Sequence, residues 1–273
     1  MSISISYLIT CSNETRTLRN LLKRVYYNIS LSDELVILID SGCTNNDETK
    51  SIINGYLRNY PNINCLTRDL SGNYSLQKNY GALHCKNSWI MQFDGDECPT
   101  ESLLLNIKDI IELNSNIECF WIPRVNNFIG VTDEIAKKWG WRLTPSTTVV
   151  NERVLDIDSK EYLFLKNNGY IVEENSSQVY LIDGKRLNTI KYKAPLVNFP
   201  DNQCRLFRNI PDRIKWVGRL HEHIDGNKNY VYLPFEEDLS IYHDKTIEKQ
   251  EETNLRYNTL FTEKENQGFS LPK

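Results

Sequence analysis

The chain has 273 residues, of which 40% are hydrophobic and 11% are aromatic, so it can bury a substantial core as one large domain or one domain with an insertion. This composition excludes an intrinsically disordered protein. The net charge of −4 at pH 7 lacks the footprint of a nucleic-acid binder, so any anionic ligand must be held by local charges.

The first half of the chain alternates between strand-like and helix-like patterns. Strands are predicted at Ile3–Ile9, Leu35–Ile39, Ile63–Leu66 and Trp89–Phe93. Helices are predicted where apolar residues recur with a 3.6-residue period, at Leu18, Leu21, Leu22 and Val25, and at Leu103, Leu104, Ile107, Ile110 and Ile111. This alternation predicts an α/β fold with parallel strands, and ligands in such sheets bind beyond the carboxyl ends of the strands.

The segment after the fourth strand, Asp94-Gly95-Asp96-Glu97, places three carboxylates within four residues. Carboxylates this close repel one another unless a cation neutralises them, and Mg²⁺ and Mn²⁺ prefer oxygen ligands. The alternative is an acidic turn at the start of the next helix, with which Pro99 is compatible. The motif therefore predicts either a metal site or a helix start.

Two further polar loops follow the first and second strands, at Thr10–Glu14 and Asp40–Thr44. Each also has a structural explanation, since Asn13 can cap a helix and Asp40 with Gly42 can form a turn. Three polar loops at one edge of a sheet are more than chain reversal requires, which favours a binding site there.

These loops, together with Gln77-Lys78-Asn79-Tyr80-Gly81, resemble family 2 of the glycosyltransferases, which has the GT-A fold. The segments 198–209, 216–222 and 241–244 are similar to a branch resembling lipopolysaccharide-core glucosyltransferases. The resemblance covers residues 3–125 and 198–260. It implies a Rossmann-like, mostly parallel central sheet flanked by helices, with an acceptor-side insertion and a C-terminal helix.

The resemblance also implies an organisation of the chain. Residues 1–125 would form the nucleotide-sugar-binding half, and residues 126–262 the acceptor-binding half with an insertion at 126–197. The two halves would make one continuous catalytic domain, and residues 263–273 a flexible tail.

The function that the resemblance implies is metal-dependent transfer of a sugar, with inversion, from a nucleotide-diphosphate donor to a hydroxyl of a glycan or glycoconjugate. A UDP-sugar is the most frequent donor in the family. Asp40 would contact the base, Asp94 the ribose, and Asp96 the Mn²⁺ or Mg²⁺ that bridges the diphosphate. The predicted donor site also includes Thr10, Cys11, Asn13, Glu14, Lys78, Asn79, Gly95, Arg205 and Arg208. Where many members have two aspartates, this chain has Asp40-Ser41, so the usual base contact is either missing or supplied by Asp40 alone.

An inverting transfer needs a general base within reach of the acceptor hydroxyl. Glu222, which lies between His221 and His223, is the first candidate, and Asp201 is the reserve. The alternative is that this trio belongs to a strand, on which Glu222 and the histidines would face opposite sides. His243 and His221 are candidate metal ligands beside Asp96, because imidazole completes mixed oxygen and nitrogen shells.

The remaining sequence features concern the setting of the protein. The seven cysteines are scattered and odd in number, which favours reduced thiols and a cytoplasmic location. No transmembrane segment is predicted, peripheral membrane contact stays open, and no oligomeric state is indicated. Asp183-Gly184 predicts a hairpin turn between Gln178–Ile182 and Leu187–Tyr192.

Two other functions remain as alternatives at this point. One is a nucleotidyltransferase, which would need a glycine-rich, basic loop after the first strand, and Thr10–Glu14 contains neither glycine nor lysine. The other is a catalytically inactive glycosyltransferase-like domain kept for binding or scaffolding, for which decayed carboxylates are expected, whereas Asp94 and Asp96 are intact.

Overall fold

A computed structural model describes residues 3–42, 46–57, 62–174 and 179–260. The chain divides into two compact units. Unit 1 comprises Met1–Pro123, Asn202–Tyr242 and Glu252–Lys273, and unit 2 comprises Arg124–Asp201 and His243–Glu251. The predicted tail 263–273 and the residues Cys43 and Thr44 of the second polar loop lie outside the described residues.

The elements up to the boundary between the units alternate as the sequence predicts. In chain order they are β1 (Ile5–Cys11), α1 (Thr15–Asn28), β2 (Glu34–Asp40), α2 (Asn46–Leu57), β3 (Ile63–Arg68), α3 (Tyr74–Ala82), β4 (Trp89–Asp94), β5 (Glu97–Pro99), α4 (Glu101–Leu113) and β6 (Cys119–Ile129). Of these, β6 runs across the boundary between the two units.

The later elements include most of unit 2 and the return to unit 1. They are α5 (Asp133–Trp139), β7 (Leu143–Asp156), α6 (Lys160–Asn167), β8 (Ile171–Glu174), β9 (Tyr180–Ile182), β10 (Lys185–Val197), β11 (Asp201–Arg208), β12 (Lys215–Val217), β13 (His223–Asp225), β14 (Tyr230–Tyr232), a 3₁₀ helix (Glu237–Leu239), β15 (Ile241–Thr246) and α7 (Ile247–Leu260).

Unit 1 is built on a curled, mostly parallel sheet with strand order β3-β2-β1-β4-β11. The first four strands are parallel to their neighbours, and β11 runs antiparallel to β4. Strands β1, β2 and β4 are buried along almost their whole length, as expected for parallel strands covered by helices on both faces. The predicted α/β fold with a parallel sheet is therefore confirmed.

The helices of unit 1 pack the predicted apolar stripes against this sheet. Leu18, Leu21, Leu22 and Val25 of α1 are fully buried, and so are Leu103 and Ile107 of α4. Helix α4 begins after Thr100, whose Oγ1 accepts a hydrogen bond from the backbone N–H of Leu103 at 3.1 Å. A threonine therefore caps this helix, and none of the three preceding carboxylates does so.

The observed bounds of the first strand differ from the predicted ones. Strand β1 begins and ends two residues later, at Ile5 and Cys11, because Thr10 and Cys11 pair with Leu38 and Ile39 of β2. Thr10 and Cys11 therefore belong to the strand and not to the loop that follows it.

Unit 2 is an antiparallel assembly around β10, which pairs with β7, β8 and β9. Its core contains a cluster of buried aromatic side chains: Phe128, Tyr162, Phe164, Tyr170 and Tyr192. The predicted hairpin turn is confirmed, since Asp183 and Gly184 both have left-handed backbone angles (φ of 48° and 74°) between β9 and β10. The predicted start of its first strand, Gln178, lies outside the described residues.

No helix within the described ranges is both long enough and apolar enough to span a lipid bilayer.

Candidate active site

The loop that carries the carboxylates lies at the carboxyl ends of β1 and β4. Thr10 and Asp94 are paired in register, and Thr10 Oγ1 donates a hydrogen bond to Asp94 Oδ1 at 2.9 Å. The backbone N–H of Gly95 donates to the carbonyl oxygen of Thr10 at 2.8 Å. A side chain at Gly95 would place its Cβ 3.0 Å from Cys11 Cβ, so only glycine fits without displacing β1. Asp94 is thereby held at the edge where parallel sheets bind ligands.

Two buried cations flank Asp94. Lys78 Nζ lies 3.0 Å from Asp94 Oδ1 and 3.2 Å from Oδ2. Arg205 Nη2 donates to Asp94 Oδ2 at 2.8 Å. The side chains of Lys78 and Arg205 are each only 3% exposed, whereas that of Asp94 is 32% exposed. The carboxylate thus reaches solvent while both of its oxygens are engaged from the protein side.

Arg205 also holds the third carboxylate of the motif. Its Nη2 lies 2.6 Å from Glu97 Oε1, and its Nη1 donates to Gln92 Oε1 at 2.6 Å. Glu97 lies in β5 and is buried, and its Oε2 accepts a hydrogen bond from the backbone N–H of Asp94 at 3.1 Å. The expectation of three carboxylates sharing one cation is therefore corrected for Glu97, which pairs with Arg205.

The charges in this cluster shift the pKa values of its members. Burial alone raises the pKa of Asp94, but the nearby Lys78 and Arg205 outweigh burial and hold this pKa well below its usual range. Burial lowers the pKa of Arg205, but Glu97 and Asp94 outweigh it and raise the pKa above its usual range. Both shifts favour the charged forms, an ionised Asp94 and a protonated Arg205.

Lys78 connects this cluster to the predicted base. Its Nζ lies 2.6 Å from Glu222 Oε1 and 4.7 Å from the centre of the Trp216 ring, which supports the ammonium group by a cation–π contact. Glu222 is in the loop between β12 and β13, since β13 begins only at His223. The alternative in which the trio around Glu222 forms one strand is therefore wrong. His221 has a left-handed backbone angle (φ of 54°), which turns the chain immediately before Glu222.

Glu14 and Asp96 form a second acidic group at this edge. Burial raises the pKa of Glu14, and the negative charges of Asp96 and Asp94 add to the shift, while the backbone N–H of Ser12, which donates to Glu14 Oε2 at 2.6 Å, opposes it. Glu14 is also the residue that precedes α1, without a side-chain capping bond, so Asn13 is not the cap of this helix. Asp96 is half-buried next to this carboxylate.

Carboxylate oxygens such as those of Asp96 and Glu14 are the ligands that a hard divalent cation prefers. Within residues 3–42, 46–57, 62–174 and 179–260, no group of three or more His, Cys, Asp or Glu side chains is arranged to hold a metal ion. Mg²⁺ is commonly bound by one or two carboxylates together with the phosphates of a substrate. The pKa of Glu14 is raised chiefly by burial and further by the charges of Asp96 and Asp94, and a cation bound there would favour the ionised carboxylate.

Comparison with known proteins identifies the family. The sequence profile of glycosyl transferase family 2 matches residues 6–151, which is more than half of the chain. The chain belongs to glycosyl transferase family 2. The matched residues include the Asp94-Gly95-Asp96 segment. A search of curated proteins finds no match.

Solved structures provide distant likenesses. Residues 1–349 of S. aureus TarS in complex with UDP-GlcNAc are 13% identical with a TM-score of 0.49, over 89% of this chain and 59% of that one. The same TarS fragment alone is 19% identical with a TM-score of 0.41, over 54% and 42% of the two chains. The mannosyltransferase PcManGT from Pyrobaculum calidifontis, in complex with GDP-Man and Mn²⁺, is 12% identical with a TM-score of 0.37, over 44% and 35%. The family 2 chain thus spans less than two thirds of each of these proteins.

Three predicted donor-site residues make structural contacts in the family 2 chain. Asp40 Oδ1 accepts from the backbone N–H groups of Gly42 and Leu70, at 3.0 and 3.1 Å, and Cys11 is buried with its thiol 3.8 Å from Leu38 O. Asn79 exchanges two hydrogen bonds with the backbone of Trp216, at 2.8 and 2.9 Å. It therefore attaches α3 to β12 and has little left for a ligand.

Arg208 lies away from the other predicted donor-site residues. In the pairing of β11 with β4, Arg208 lies opposite Trp89, the first residue of β4, and its guanidinium is 4.3 Å from the centre of the Trp89 ring. Asp94 is the last residue of the same strand. Because Arg208 is at the opposite end of β4 from the carboxylates, the site described here does not include it.

Two further predicted residues belong to unit 2. Asp201 Oδ2 accepts from Arg124 Nη2 at 2.6 Å and from Asn126 Nδ2 at 2.8 Å. His243 is buried and its Nδ1 lies 2.8 Å from Asn126 Oδ1. Asn126 therefore links the reserve base to the candidate metal ligand within this unit, an arrangement that the sequence did not indicate.

Sequence reasoning missed three other side chains of the site in unit 1. Gln92 is fully buried in β4 and binds both Arg205 and Asp94. Tyr74 and Tyr257 lie near Glu222 and Asp94, whose charges contribute to their raised pKa values. A glutamine inside an otherwise apolar strand was a signal for Gln92, whereas nothing local to either tyrosine indicated its position.

Proposed function

We propose that this protein transfers a sugar, with inversion, from a nucleotide-diphosphate donor to a hydroxyl of a glycan or glycoconjugate. The observation that carries this proposal is the position of Glu222, whose carboxylate is joined through Lys78 to Asp94 at the carboxyl edge of the sheet. An inverting displacement needs such a base beside the donor site: the base accepts the proton of the acceptor hydroxyl as its oxygen bonds to the anomeric carbon, and the nucleoside diphosphate leaves from the opposite face of that carbon.

The donor would bind with its diphosphate at Asp94-Gly95-Asp96. In this arrangement Asp96, assisted by Glu14, would hold a Mg²⁺ or Mn²⁺ ion, which supplies positive charge to the leaving diphosphate. Asp94 is fixed by Lys78 and Arg205 and can accept a hydrogen bond from the ribose. Asp40, with one oxygen already bound to backbone groups, can offer its other oxygen to the base.

Glu222 is proposed to accept the proton of the attacking hydroxyl. Its side chain is 13% exposed, so it is largely withdrawn from solvent yet reachable, and the 2.6 Å contact with Lys78 fixes its orientation. General base catalysis typically contributes about 100- to 10,000-fold to a rate. Loss of the carboxylate should therefore abolish most transfer and leave donor binding in place.

The finer assignments rest on the sequence resemblance. We propose a UDP-sugar as the donor and a place in the branch that resembles lipopolysaccharide-core glucosyltransferases. We also propose that residues 1–125 serve the donor and residues 126–262 the acceptor within one catalytic domain. A cytoplasmic location is supported by the scattered, odd-numbered cysteines of the sequence, which favour reduced thiols.

An inactive binding or scaffold domain is the second candidate, and one observation favours it. Asp94 Oδ1 accepts from Thr10 and Gln92 and Oδ2 from Arg205, while Lys78 contacts both oxygens. A carboxylate engaged in this way can be purely structural. The nucleotidyltransferase alternative is set aside because the chain belongs to a glycosyl transferase family.

Thermal unfolding with nucleotides and metals separates the two candidates. UDP together with Mn²⁺ or Mg²⁺ is expected to stabilise the fold, by about 2.7 kcal/mol at a hundredfold excess over the dissociation constant, whereas UDP alone should do so weakly. Asp96→Ala should remove this stabilisation. Glu222→Gln should keep it and lower the slow hydrolysis of UDP-sugars, measured over a panel of donors.

The matched control is Asp212→Ala, which removes an exposed carboxylate of unit 1. This variant should behave like the unchanged protein in both assays. If no nucleoside diphosphate stabilises the protein with any divalent metal, the transferase proposal fails and the scaffold reading stands. If Asp96→Ala and Glu222→Gln lose UDP binding equally, Glu222 belongs to the donor site and another group must be the base.

A further inference from the structure

The loop of Glu222 is bordered by two tyrosines that come from distant parts of the chain. Tyr74 is the first residue of α3, and Tyr257 lies in the last turns of α7. Their rings meet edge to face, with centroids 6.4 Å apart and an interplanar angle of 78°, and their hydroxyl groups are hydrogen-bonded to each other. The ring of His221 meets that of Tyr257 edge to face at 6.3 Å.

Tyr74 is attached to the site from two directions. It stands four residues before Lys78 on α3, so the two side chains share one face of the helix. Its backbone N–H donates to the carbonyl oxygen of Arg219 at 3.0 Å, which ties the start of α3 to the segment leading to Glu222. The helix face that carries the Lys78–Glu222 ion pair therefore also carries Tyr74.

Tyr257 brings the end of α7 into contact with this region. Of the last six residues of the helix, Leu255–Leu260, all except Tyr257 are exposed. Leu255 and Leu260, which are 67% and 48% exposed, do not form a buried stripe. Among these six residues burial is thus concentrated on one aromatic side chain, whereas a helix end held by a hydrophobic core would bury several.

The tyrosines are suited to binding and not to proton transfer. Burial raises the pKa of Tyr257, and the neighbouring Tyr74, Glu222 and Asp94 raise it further. Burial also raises the pKa of Tyr74, with contributions in the same direction from Glu222 and Asp94 that the hydrogen bond from Tyr257 opposes. Both phenols stay neutral, so they offer ring faces and hydroxyl hydrogen bonds.

We propose that Tyr74 and Tyr257, with His221 at their edge, form the wall that holds the acceptor sugar beside Glu222. This inference rests on the proposed function and adds a specificity-determining site to it. The apolar C–H face of a pyranose ring matches an aromatic face, and the paired hydroxyls can orient a sugar hydroxyl toward the Glu222 carboxylate. The ligand class is therefore a hexose or hexosamine ring at the end of a glycan.

Transfer and hydrolysis of the same donor provide the test. A UDP-sugar that the protein hydrolyses is used with p-nitrophenyl glucoside, galactoside and N-acetylglucosaminide as acceptor probes. Tyr257→Ala and Tyr74→Ala are each expected to lower kcat/KM for transfer by about 10- to 200-fold, mainly through the KM for the acceptor, as for loss of a group from a sugar pocket. Donor hydrolysis and the thermal shift with UDP and Mn²⁺ should change less than about twofold.

Two further variants separate binding from structural support. Tyr257→Phe keeps the ring and removes the hydroxyl pair, so it should restore most of the transfer that Tyr257→Ala loses. Tyr27→Ala, which removes a 70% exposed tyrosine of α1, should leave every quantity unchanged.

The outcomes distinguish this inference from the function on which it rests. If UDP does not shift the melting temperature of the protein without substitutions, the transferase proposal itself is contradicted. The thermal shift with UDP and the hydrolysis of the donor can both be normal while transfer is equal in Tyr257→Ala, Tyr74→Ala and the protein without substitutions. That result overturns only the acceptor wall. Absence of transfer to all three glycosides also counts against the wall, because two tyrosine rings recognise a pyranose whatever its aglycone.

Discussion

The ion pair between Lys78 and Glu222 should contribute far more to stability than a surface pair of the same protein. The side chains of Lys78 and Glu222 are 3% and 13% exposed and their charged atoms are 2.6 Å apart. Replacing Lys78 by Met leaves Asp94 with Arg205, Thr10 and Gln92, but it leaves Glu222 without its cation. Removing one partner of a buried ion pair costs about 3–5 kcal/mol.

A double-mutant cycle isolates the interaction itself. With Lys78→Met, Glu222→Gln and the double variant, urea unfolding at 25 °C should give a coupling free energy of about 1.5–3 kcal/mol, the range of hydrogen bonds to charged groups. The control cycle uses Arg24→Met and Glu101→Gln, whose side chains are 38% and 60% exposed at 3.1 Å. That exposed pair should give about 0.2–1 kcal/mol.

The difference between the two coupling free energies shows whether the buried ion pair holds Glu222 in place. If the Lys78–Glu222 coupling does not exceed that of Arg24–Glu101, the ion pair does not hold Glu222 in place. The proposed orientation of the base would then lack its physical support, whatever the activity of the variants.

Two further predictions concern the carboxylate loop. The pKa of Glu14 is raised from its ordinary value of 4.5, so the folded state binds this proton more tightly than the unfolded state does. Proton binding at Glu14 therefore stabilises the folded state fully below pH 4.5, and this stabilisation is lost as the pH rises through the raised pKa. Glu14→Gln should therefore melt at a higher temperature than the unchanged protein at pH 7, with the difference vanishing at pH 4; an equal difference at both pH values would contradict this. Gly95→Ala should destabilise the protein by about 1–3 kcal/mol in urea unfolding, because the added Cβ would stand 3.0 Å from Cys11 Cβ. Gly55→Ala, in α2 with no atom within 4 Å of the added Cβ, should instead stabilise by about 0.5–1 kcal/mol, and similar values for both glycines would refute the steric argument.

The alternating elements of the first half could be predicted because each depends on local patterning. The stripe of α1 and the apolar run of β2 are buried as their periods indicate, since a helix or strand shows its covered face in its own residues. The position of Asp94 at the end of β4 follows from the same pattern. These features require no knowledge of what the rest of the chain does.

The boundaries of the elements and the orientations of single side chains were harder to predict from the sequence. Thr10 and Cys11 were predicted in a loop but belong to β1, because the neighbouring strand β2 continues far enough to pair with them. Glu97 was grouped with Asp94 and Asp96, yet the short strand β5 turns it toward Arg205. In both cases a neighbouring element that the local pattern does not contain decides the outcome.

What the sequence by itself determined is the α/β architecture and the edge of the sheet at which the carboxylates lie, since periodicity and strand ends are written in consecutive residues. Only the tertiary structure decided which charges meet there. Arg205 reaches Asp94 across 111 residues and Asn79 reaches Trp216 across 137. The partners of Glu222 and the meeting of Tyr74 with Tyr257 likewise depend on where the returning chain places each side chain. Such contacts are set by packing in three dimensions, and no short-range pattern encodes them.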